Sequence, residues 1–330
     1  MAKKNPYYDA SKPHHTAFGF QNLEPIVHHS RDLKRWREER KRESLPKPPP
    51  QGYPAFIAQW WQEADFSGSE DAIWWLGHAC VLLRIAGRTV LFDPVLSTRA
   101  SPLHFYGPHR KTPVPATVDR LPEINVIVIS HNHYDHLDAR TITLLLQRFP
   151  DVIFLVPLGL KPWLQRHGAK AIHELDWWDS DKIADTEFHC VPAQHWSMRT
   201  PWDRNQSLWS GWVVKQNGVN FYFSGDSGYF RQLVEIGERL GPFNYAALPI
   251  GAYVPRWFMQ AQHMDPQQSV LLYQQLQMPT TIPMHWGVFE LADESLDEPP
   301  EQLALALEQA GEDKGNFKPI KIGGRILLIV

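Results

Sequence analysis

The sequence predicts an α/β fold in which two sheets pack together and helices cover them. From Ala72 onward, short apolar segments of strand length alternate with segments whose apolar residues recur at helical spacing. Histidine and aspartate side chains also cluster where predicted strands end, and loops at such positions commonly carry function. With 330 residues, 43% of them hydrophobic, the chain can bury a large core. We therefore expect the functional site where the strand ends meet.

The first predicted elements are a hairpin and a buried strand. Residues 72–92 form the hairpin, with Gly87 in its turn. The apolar run INVIVIS at 124–130 is typical of a buried strand. Asp138 stands at the expected N-cap of a helix predicted for residues 138–149. The next predicted elements are a strand at 152–158 and a short helix that ends at Leu164.

The second half of the chain repeats the alternation. Residues 187–196 hold a strand, and the strands within 207–216 and 219–226 are joined at Asn217-Gly218, a strong signal for a tight turn. The remaining predicted elements are helix 228–239, strand 245–253, helix 266–277, strand 281–289, helix 300–310 and strand 325–330.

Residues 1–70 differ from the rest of the chain and predict a peripheral arm ahead of a folded domain at 71–330. Proline-rich pieces flank a run at 31–42, RDLKRWREERKR, which has seven basic and three acidic residues. This run predicts either a solvated helix face or a surface that attracts anionic lipid headgroups. The aromatic residues at 53–66 could pack in the core, line a lipid entrance or form an oligomer contact, and of these roles we expect core packing.

Composition excludes some functions and favours a location. The net charge of −3 disfavours nucleic acid as a partner, because binding a phosphate backbone usually needs a basic excess. Two cysteines, Cys80 and Cys190, fit a reducing compartment, and no signal peptide or membrane span is visible. We expect a cytoplasmic protein whose contact with a membrane is transient and peripheral, at the inner face.

The densest cluster of ligand-type side chains follows the INVIVIS strand. His131, His133, Asp135 and His136 form an H-x-H-x-D-H pattern on a tight loop. Imidazole and carboxylate together suit zinc or a similar first-row ion, and two ions about 3.5–4 Å apart need roughly seven such ligands. This loop supplies four of them.

Three further residues stand in the same context, each at the end of an apolar strand. They are His195, Asp226 and His285, and Asp226 is the carboxylate placed to bridge two ions. Any one histidine could be a buried residue with ordinary hydrogen bonds. The set of seven favours a metal site, because buried acids and histidines are costly without partners.

The combination of HNHYDHLD with these downstream residues resembles the metallo-β-lactamase superfamily. The blocks LGHACVLL, AQHWSMRT, GAYVPRWFMQAQHMDP and MHWGVFEL narrow the resemblance to the N-acyl-phosphatidylethanolamine-hydrolysing phospholipase D family, over roughly residues 70–300. The resemblance implies an αββα sandwich for the hydrolase domain at 71–330, with two mixed sheets flanked by helices. It also implies a homodimer.

The resemblance implies a role for each ligand-type residue. One zinc ion would be held by His131, His133 and His195, and the other by Asp135, His136 and His285, while Asp226 would bridge both. His263, in the QHMDP block, would contact the substrate phosphate or assist the leaving group, so His263, Asp135 and Asp226 are the expected catalytic residues. The alternative for His263 is a helix-cap histidine at the surface. Asp93 and His78 would orient ligands or form hydrogen bonds in the core.

The implied reaction is hydrolysis of an N-acylated phospholipid to phosphatidic acid and an N-acylethanolamine. A hydroxide shared by two zinc ions would attack phosphorus; iron or manganese can also occupy His/Asp sites. The alternative enzyme function is the same metal chemistry on a soluble ester, lactone or phosphodiester. A non-catalytic scaffold would have lost ligands, whereas all seven are present.

Overall fold

Two β-sheets face each other in the computed structural model, which describes residues 4–26, 29, 31–312 and 315–329. A 3₁₀ turn at Val118–Arg120 lies between the fifth and sixth strands. In chain order the elements are β1 (His15–Thr16), β2 (Gly19–Phe20), α1 (Asp32–Glu43), α2 (Gly52–Trp60), β3 (Ala72–Trp75), β4 (Val81–Ile85), β5 (Arg88–Phe92), β6 (Val126–Val128), α3 (Ala139–Arg148), β7 (Ile153–Pro157), α4 (Lys161–Arg166), β8 (Ala171–Leu175), β9 (Ser180–Ile183), β10 (Thr186–Val191), β11 (Gly211–Gln216), β12 (Val219–Phe223), α5 (Gln232–Leu240), β13 (Tyr245–Pro249), α6 (Arg256–Met259), α7 (Pro266–Gln275), β14 (Thr280–Met284), α8 (Glu298–Gln309) and β15 (Arg325–Leu327).

Both sheets are mixed, as the sequence predicts. One has seven strands in the order β15-β3-β4-β5-β6-β7-β8, antiparallel as far as β5 and parallel from β5 to β8. The other has six strands in the order β14-β13-β12-β11-β10-β9, and its parallel pairs are β12 with β13 and β13 with β14. In each sheet, the carboxyl ends of the parallel strands therefore lie on the same side, and the loops that follow these strands can meet there.

The main core lies between the sheets. Phe92 of β5 stacks on Phe223 of β12 at 4.9 Å between ring centroids, and Phe221 contacts the same ring edge-on. Trp212 of β11 donates from Nε1 to the carbonyl of Ile129 at 2.9 Å. These contacts fix the position of the chain just before the H-x-H-x-D-H loop.

Helices cover the outer sides of the sandwich. Residues of α3 and α4 pack with Ile127 and Phe154 in a second apolar cluster behind the seven-stranded sheet. On the other sheet α7 packs against β13 and contacts both α5 and α8. Among the described residues, no helix combines the length and apolar character needed to cross a bilayer.

The turns and the helix cap that the sequence predicts are confirmed. Ala86-Gly87 and Asn217-Gly218 connect antiparallel strands, and all four residues have φ between 46° and 79°, as two-residue hairpin turns of matching twist require. Asp138 caps α3 by accepting a hydrogen bond from the Arg140 amide.

The structure differs from the prediction at several elements. The apolar run from Ala72 is two strands, because Leu76 to Cys80 form a tight turn with His78 at φ 55°. The helix predicted from Gly228 begins at Gln232; Gly228 lies so close to Ala261 that a Cβ there would be 2.6 Å from its carbonyl oxygen. Strands β8 and β9 were not predicted, since their sequences carry His, Glu, Asp and Lys at the edge of each sheet.

The N-terminal segment makes buried contacts with the rest of the protein. Phe20 and Phe56 belong to the main core, and Trp60 of α2 packs edge-on against Trp286 at 5.2 Å. By contrast, α1 forms the predicted charged helix and buries none of its residues. The division of the chain at residue 70 stays a prediction.

Candidate metal centre

Four strand ends bring the predicted ligands to one place. The H-x-H-x-D-H loop follows β6, and its residues lie at the carboxyl end of a parallel strand. His195, Asp226 and His285 follow β10, β12 and β14 on the facing sheet. All seven predicted ligands converge; five of them are buried, and His133 and Asp135 are partly buried.

One cluster contains three imidazoles. His131 Nε2 lies 2.9 Å from His133 Nδ1, and His195 Nε2 lies 3.1 Å from the same atom. Nitrogen ligands of a tetrahedral zinc ion, with bonds of about 2.0–2.1 Å, stand about 3.3 Å apart. The three nitrogens are therefore placed to bind one ion together.

A second cluster adds a carboxylate to two imidazoles. His136 Nε2 and His285 Nε2 are 3.3 Å apart, and Asp135 Oδ2 lies 3.3 Å from the first and 3.4 Å from the second. His78 Nε2 lies 2.9 Å from the same Asp135 oxygen, so His78 can orient that carboxylate as well as join the cluster.

The Asp226 carboxylate lies between the two clusters. Its Oδ2 is 3.0 Å from His285 Nε2 and 3.1 Å from His136 Nε2 on one side. On the other side it is 3.7 Å from His195 Nε2 and 4.0 Å from His131 Nε2. Asp226 Oδ1 is buried without a hydrogen-bond partner among the described residues. One carboxylate is thus in reach of both groups of histidines.

Outer hydrogen bonds decide which ring nitrogen faces the centre. His195 Nδ1 lies 3.0 Å from the carbonyl oxygen of Gln262, and a carbonyl only accepts, so Nδ1 carries the proton and Nε2 has the lone pair. His136 Nδ1 donates in the same way to Asp93 Oδ2 at 2.7 Å. Both Nε2 atoms therefore face the centre, where a metal ion could bind them.

Ser130 connects Asp93 to His131 and orients the His131 ring in the same way. Its hydroxyl donates to Asp93 Oδ2 at 2.5 Å and can then accept from His131 Nδ1 at 2.9 Å. The Ser130 amide also donates to Asp93 Oδ1 at 2.7 Å. Asp93, at φ 40° after β5, thus holds the start of the H-x-H-x-D-H loop.

Burial keeps several of the histidines neutral. Desolvation lowers the pKa of His133 to about 4 and that of His195 to about 3, and it lowers the pKa of His131 well below its usual value. A metal ion binds the neutral imidazole. The first cluster is therefore in its ligand form at neutral pH.

The second cluster combines positive and negative groups. Burial alone would lower the pKa of His285, but Asp226 and Asp135 outweigh it and raise the pKa to about 9. Burial would raise the pKa of Asp226, but His136 and His285 hold it well below its usual range. A divalent cation would supply the same positive charge to these carboxylates. Together with the unpartnered Asp226 Oδ1, this donor set fits a metal ion.

His263 lies beside the centre and is not a surface helix cap. Its Nδ1 is 3.9 Å from Asp226 Oδ2, and its ring centroid is 5.1 Å from that of His195. Burial lowers the pKa of His263 to about 3, and Nδ1 has no hydrogen-bond partner among the described residues. The α7 cap is the neighbouring Asp265, which accepts from the Gln268 amide.

Sequence reasoning missed two residues that hold His195. The Gln262 carbonyl orients its ring, as described above. Asn22 pairs with its backbone, donating from Nδ2 to His195 O at 2.8 Å and accepting from His195 N at 3.1 Å. Gln262 is marked only by its place beside His263, and Asn22 by no local pattern.

The fold and this centre define a metal-dependent hydrolase of the metallo-β-lactamase superfamily. Residues 88–286 match the family described as the beta-lactamase superfamily domain. In fold the chain resembles a solved structure, a possible metal-dependent hydrolase from Veillonella parvula, with a TM-score of 0.65 and 15% identity, covering 79% of this chain and 100% of that one.

Similar proteins show to which family of this superfamily the chain belongs. It is 38% identical to N-acyl-phosphatidylethanolamine-hydrolyzing phospholipase D 1 of Caenorhabditis elegans, over 76% of this chain and 74% of that protein. It is 33% identical to the mitochondrial enzyme of the same name from Saccharomyces cerevisiae, over 72% of this chain and 52% of that one. The chain belongs to the N-acyl-phosphatidylethanolamine-hydrolysing phospholipase D family.

Proposed function

We propose that this protein hydrolyses N-acyl-phosphatidylethanolamine-type phospholipids to phosphatidic acid and N-acylethanolamine, using two zinc ions. The observation that carries the proposal is the position of Asp226, whose Oδ2 lies within 4.0 Å of histidine nitrogens from both clusters. The substrate class is supported by the two relatives whose names give that activity.

The proposed ligands divide as the clusters do. His131, His133 and His195 would hold one ion, and Asp135, His136 and His285 would hold the other, with Asp226 in reach of both groups. Two such ions, when bound, supply a water of lowered pKa and neutralise charge on the phosphoryl oxygens.

His263 supplies a hydrogen bond to the substrate in this proposal. Its side chain is mostly buried beside Asp226, and Nδ1 has no hydrogen-bond partner among the described residues. Arg256 holds the backbone of this loop by donating to the His263 carbonyl at 3.0 Å. The imidazole can therefore donate to a phosphoryl oxygen or to the oxygen of the leaving alcohol, which becomes more negative as its bond to phosphorus breaks.

The surface beside His263 suits an amphipathic substrate at a membrane. Trp36 of α1 stacks on Phe258 of α6 at 5.1 Å, and the Arg35 guanidinium lies 4.1 Å above the Trp257 ring. This contact attaches the basic helix α1 to the segment that precedes His263. Basic residues on the exposed side of α1 are then positioned to meet anionic headgroups while lipid enters the site.

The test is hydrolysis by the purified protein after its metal content has been measured. The substrates are N-acyl-phosphatidylethanolamine in detergent micelles, a soluble bis(aryl) phosphodiester and a lactone. We expect about two metal ions per chain and release of phosphatidic acid from the lipid. Two ions with turnover of the soluble substrates alone would overturn the substrate class, and a protein with fewer than two ions at full activity would overturn the dinuclear site.

A further inference from the structure

The N-terminal strap, defined here as residues 4–26, reaches the metal centre through one side chain. Asn22 Nδ2 donates to the carbonyl of His195 at 2.8 Å, and Asn22 Oδ1 accepts from the His195 amide at 3.1 Å. The same Oδ1 accepts from Trp209 Nε1 at 3.0 Å. The amide group thus uses three hydrogen bonds, two of them on the backbone of one proposed ligand.

These bonds act on a residue that no regular element holds. β10 ends at Val191, and His195 lies four residues beyond it. The Asn22 amide restrains the peptide groups on both sides of the His195 Cα, and the Gln262 carbonyl restrains the ring through Nδ1. Together they fix where Nε2 points. The strap supplies the backbone part of this restraint.

A buried ion-pair cluster anchors the strap upstream of Asn22. Asp176, just after β8, receives Lys12 Nζ at 2.5 Å, His14 Nε2 at 2.6 Å and His15 Nε2 at 2.9 Å. The His14 ring also stacks on Trp177 at 4.3 Å. These nitrogens contact the carboxylate oxygens, and an ammonium is among them, so the cluster is an anchor of the strap and not a metal site.

We propose that Asn22 is a positioning residue for His195, and that the strap thereby sets the affinity of the His131/His133/His195 cluster for its metal ion. The inference rests on the proposed function, in which His195 is a ligand. Outer partners of metal ligands typically change metal affinity by about 10–100-fold. The N-terminal segment is then part of the metal centre.

The test compares alanine variants of Asn22 and Asn5, whose side chains each make three hydrogen bonds. Asn5, also on the strap, donates from Nδ2 to Thr16 O and Gly19 O and accepts from the Tyr7 amide, so Asn5→Ala removes three bonds without touching a proposed ligand. Metal affinity of the full chain is measured by competition between Zn²⁺ and a chromophoric chelator. We expect Asn22→Ala to weaken one of two binding steps by about 10–100-fold and Asn5→Ala to leave both unchanged.

A double-mutant cycle separates positioning from general stability. Once His195→Ala has removed the imidazole, adding Asn22→Ala should weaken metal binding no further, because the two changes act through one ligand. If their effects on affinity add, Asn22 acts only on folding and the inference is wrong. The absorption spectrum of the Co²⁺-loaded protein gives a second readout, in which Asn22→Ala changes the ligand-field bands and Asn5→Ala does not.

Asn22→Asp keeps the test decisive if Asn22→Ala does not fold. The aspartate retains the acceptor for His195 N and Trp209 Nε1 but cannot donate to the His195 carbonyl, so we expect metal affinity to fall. Wild-type affinity in the soluble Asn22 variants would overturn the inference. If His195→Ala itself leaves both binding steps unchanged, the ligand assignment fails instead, and no substrate is needed to distinguish the two results.

Discussion

Asp93 Oδ2 lies 2.7 Å from Nδ1 of His136, and both side chains are completely buried. This pair connects the end of β5 to the H-x-H-x-D-H loop, and Ser130 extends it to His131. Asp93 therefore acts on a residue of each metal cluster although it faces neither ion in the proposed assignment. Removing it is expected to disturb the site as a whole.

Asp93→Ala should lower metal affinity by about 10–100-fold, because His136 loses its Nδ1 partner and Ser130 loses the acceptor that orients its hydroxyl toward His131. Metal content after dialysis against a chelator measures the effect. Asp181→Ala is a matched control, since it removes the carboxylate from a His173–Asp181 pair distant from the centre. Equal metal content in Asp93→Ala and wild type would contradict the role of Asp93.

Asp226→Ala should abolish turnover and release metal. The change removes the carboxylate that lies between the clusters and leaves His136 and His285 without their negative partner. We expect kcat to fall by at least about a thousandfold, since the proposed bridge supports both ions that stabilise the transition state. A soluble Asp226→Ala protein with both ions and full rate would show that the bridge is assigned wrongly.

His263→Ala should lower kcat by about 10²–10³-fold while metal content stays the same, as expected for loss of one transition-state hydrogen bond. His263→Gln keeps an N–H donor and should recover part of the rate. His189→Ala is the control, because His189 is a half-buried histidine on β10 paired with Glu187. Loss of metal in His263→Ala would instead make His263 a ligand.

Reversing the charge of Arg37 and Lys41 should weaken binding to anionic vesicles. Both lie on the exposed side of α1, whereas Arg35 contacts Trp257 and Glu39, and changing it would disturb packing. Each basic residue near an anionic surface contributes about 1 kcal/mol. Loss of the two positive charges alone corresponds to about 30-fold, so the charge-reversed double variant should bind at least about 30-fold more weakly. Vesicle sedimentation measures this.

The control for the vesicle experiment reverses two positive charges on a different part of the surface. Lys170→Glu with Lys182→Glu alters two exposed lysines, one just before β8 and the other within β9. Hydrolysis of a soluble phosphodiester should be unaffected in both double variants. Vesicle binding that survives reversal of Arg37 and Lys41 would leave α1 a solvated helix.

The Asp176 cluster predicts a dependence of stability on pH. Burial would raise the pKa of Asp176, but His14 and Lys12 outweigh it and hold the pKa well below its usual value. An unfolded carboxyl group has a pKa near 3.9, so the unfolded chain binds this proton first as pH falls. The stabilisation is complete above about pH 5 and is lost progressively below pH 4.

Urea unfolding of wild type and Asp176→Asn tests this sign. We expect the variant to be less stable by on the order of 2 kcal/mol near pH 7, because it leaves Lys12 without its buried partner. The difference should shrink as pH falls below 4. A difference that grows in acid would contradict the lowered pKa.

The parts of the fold that could be predicted are those that depend on a pattern of neighbouring residues. β6 and β7 are continuous apolar runs, and β12 is apolar except for Asn220. Asn217-Gly218 suits a tight hairpin turn, and Asp138 suits a helix N-cap. The H-x-H-x-D-H loop could be recognised for the same reason, since its four residues are neighbours. Resemblance then supplied the grouping of the seven ligand-type residues, which spacing alone left open.

The remaining parts depend on contacts between distant residues. The turn at His78 lies inside an apolar run whose composition does not distinguish one strand from two. β8 contains polar residues such as His173 and Glu174, and it forms a strand because it pairs with β7. Asn22 is one polar residue among many in its segment, and only the folded chain brings it to His195.

The strap contacts also impose an order of events during synthesis. Asn22 is 173 residues from His195 and 187 from Trp209, and Lys12 is 164 residues from Asp176. At roughly 5–20 residues per second, the ribosome needs roughly ten to forty seconds to make these partners after Asn22. The strap therefore lacks these partners while β3 to β8 are translated, and Asn22 can bond both His195 and Trp209 only after the chain through Trp209 has emerged.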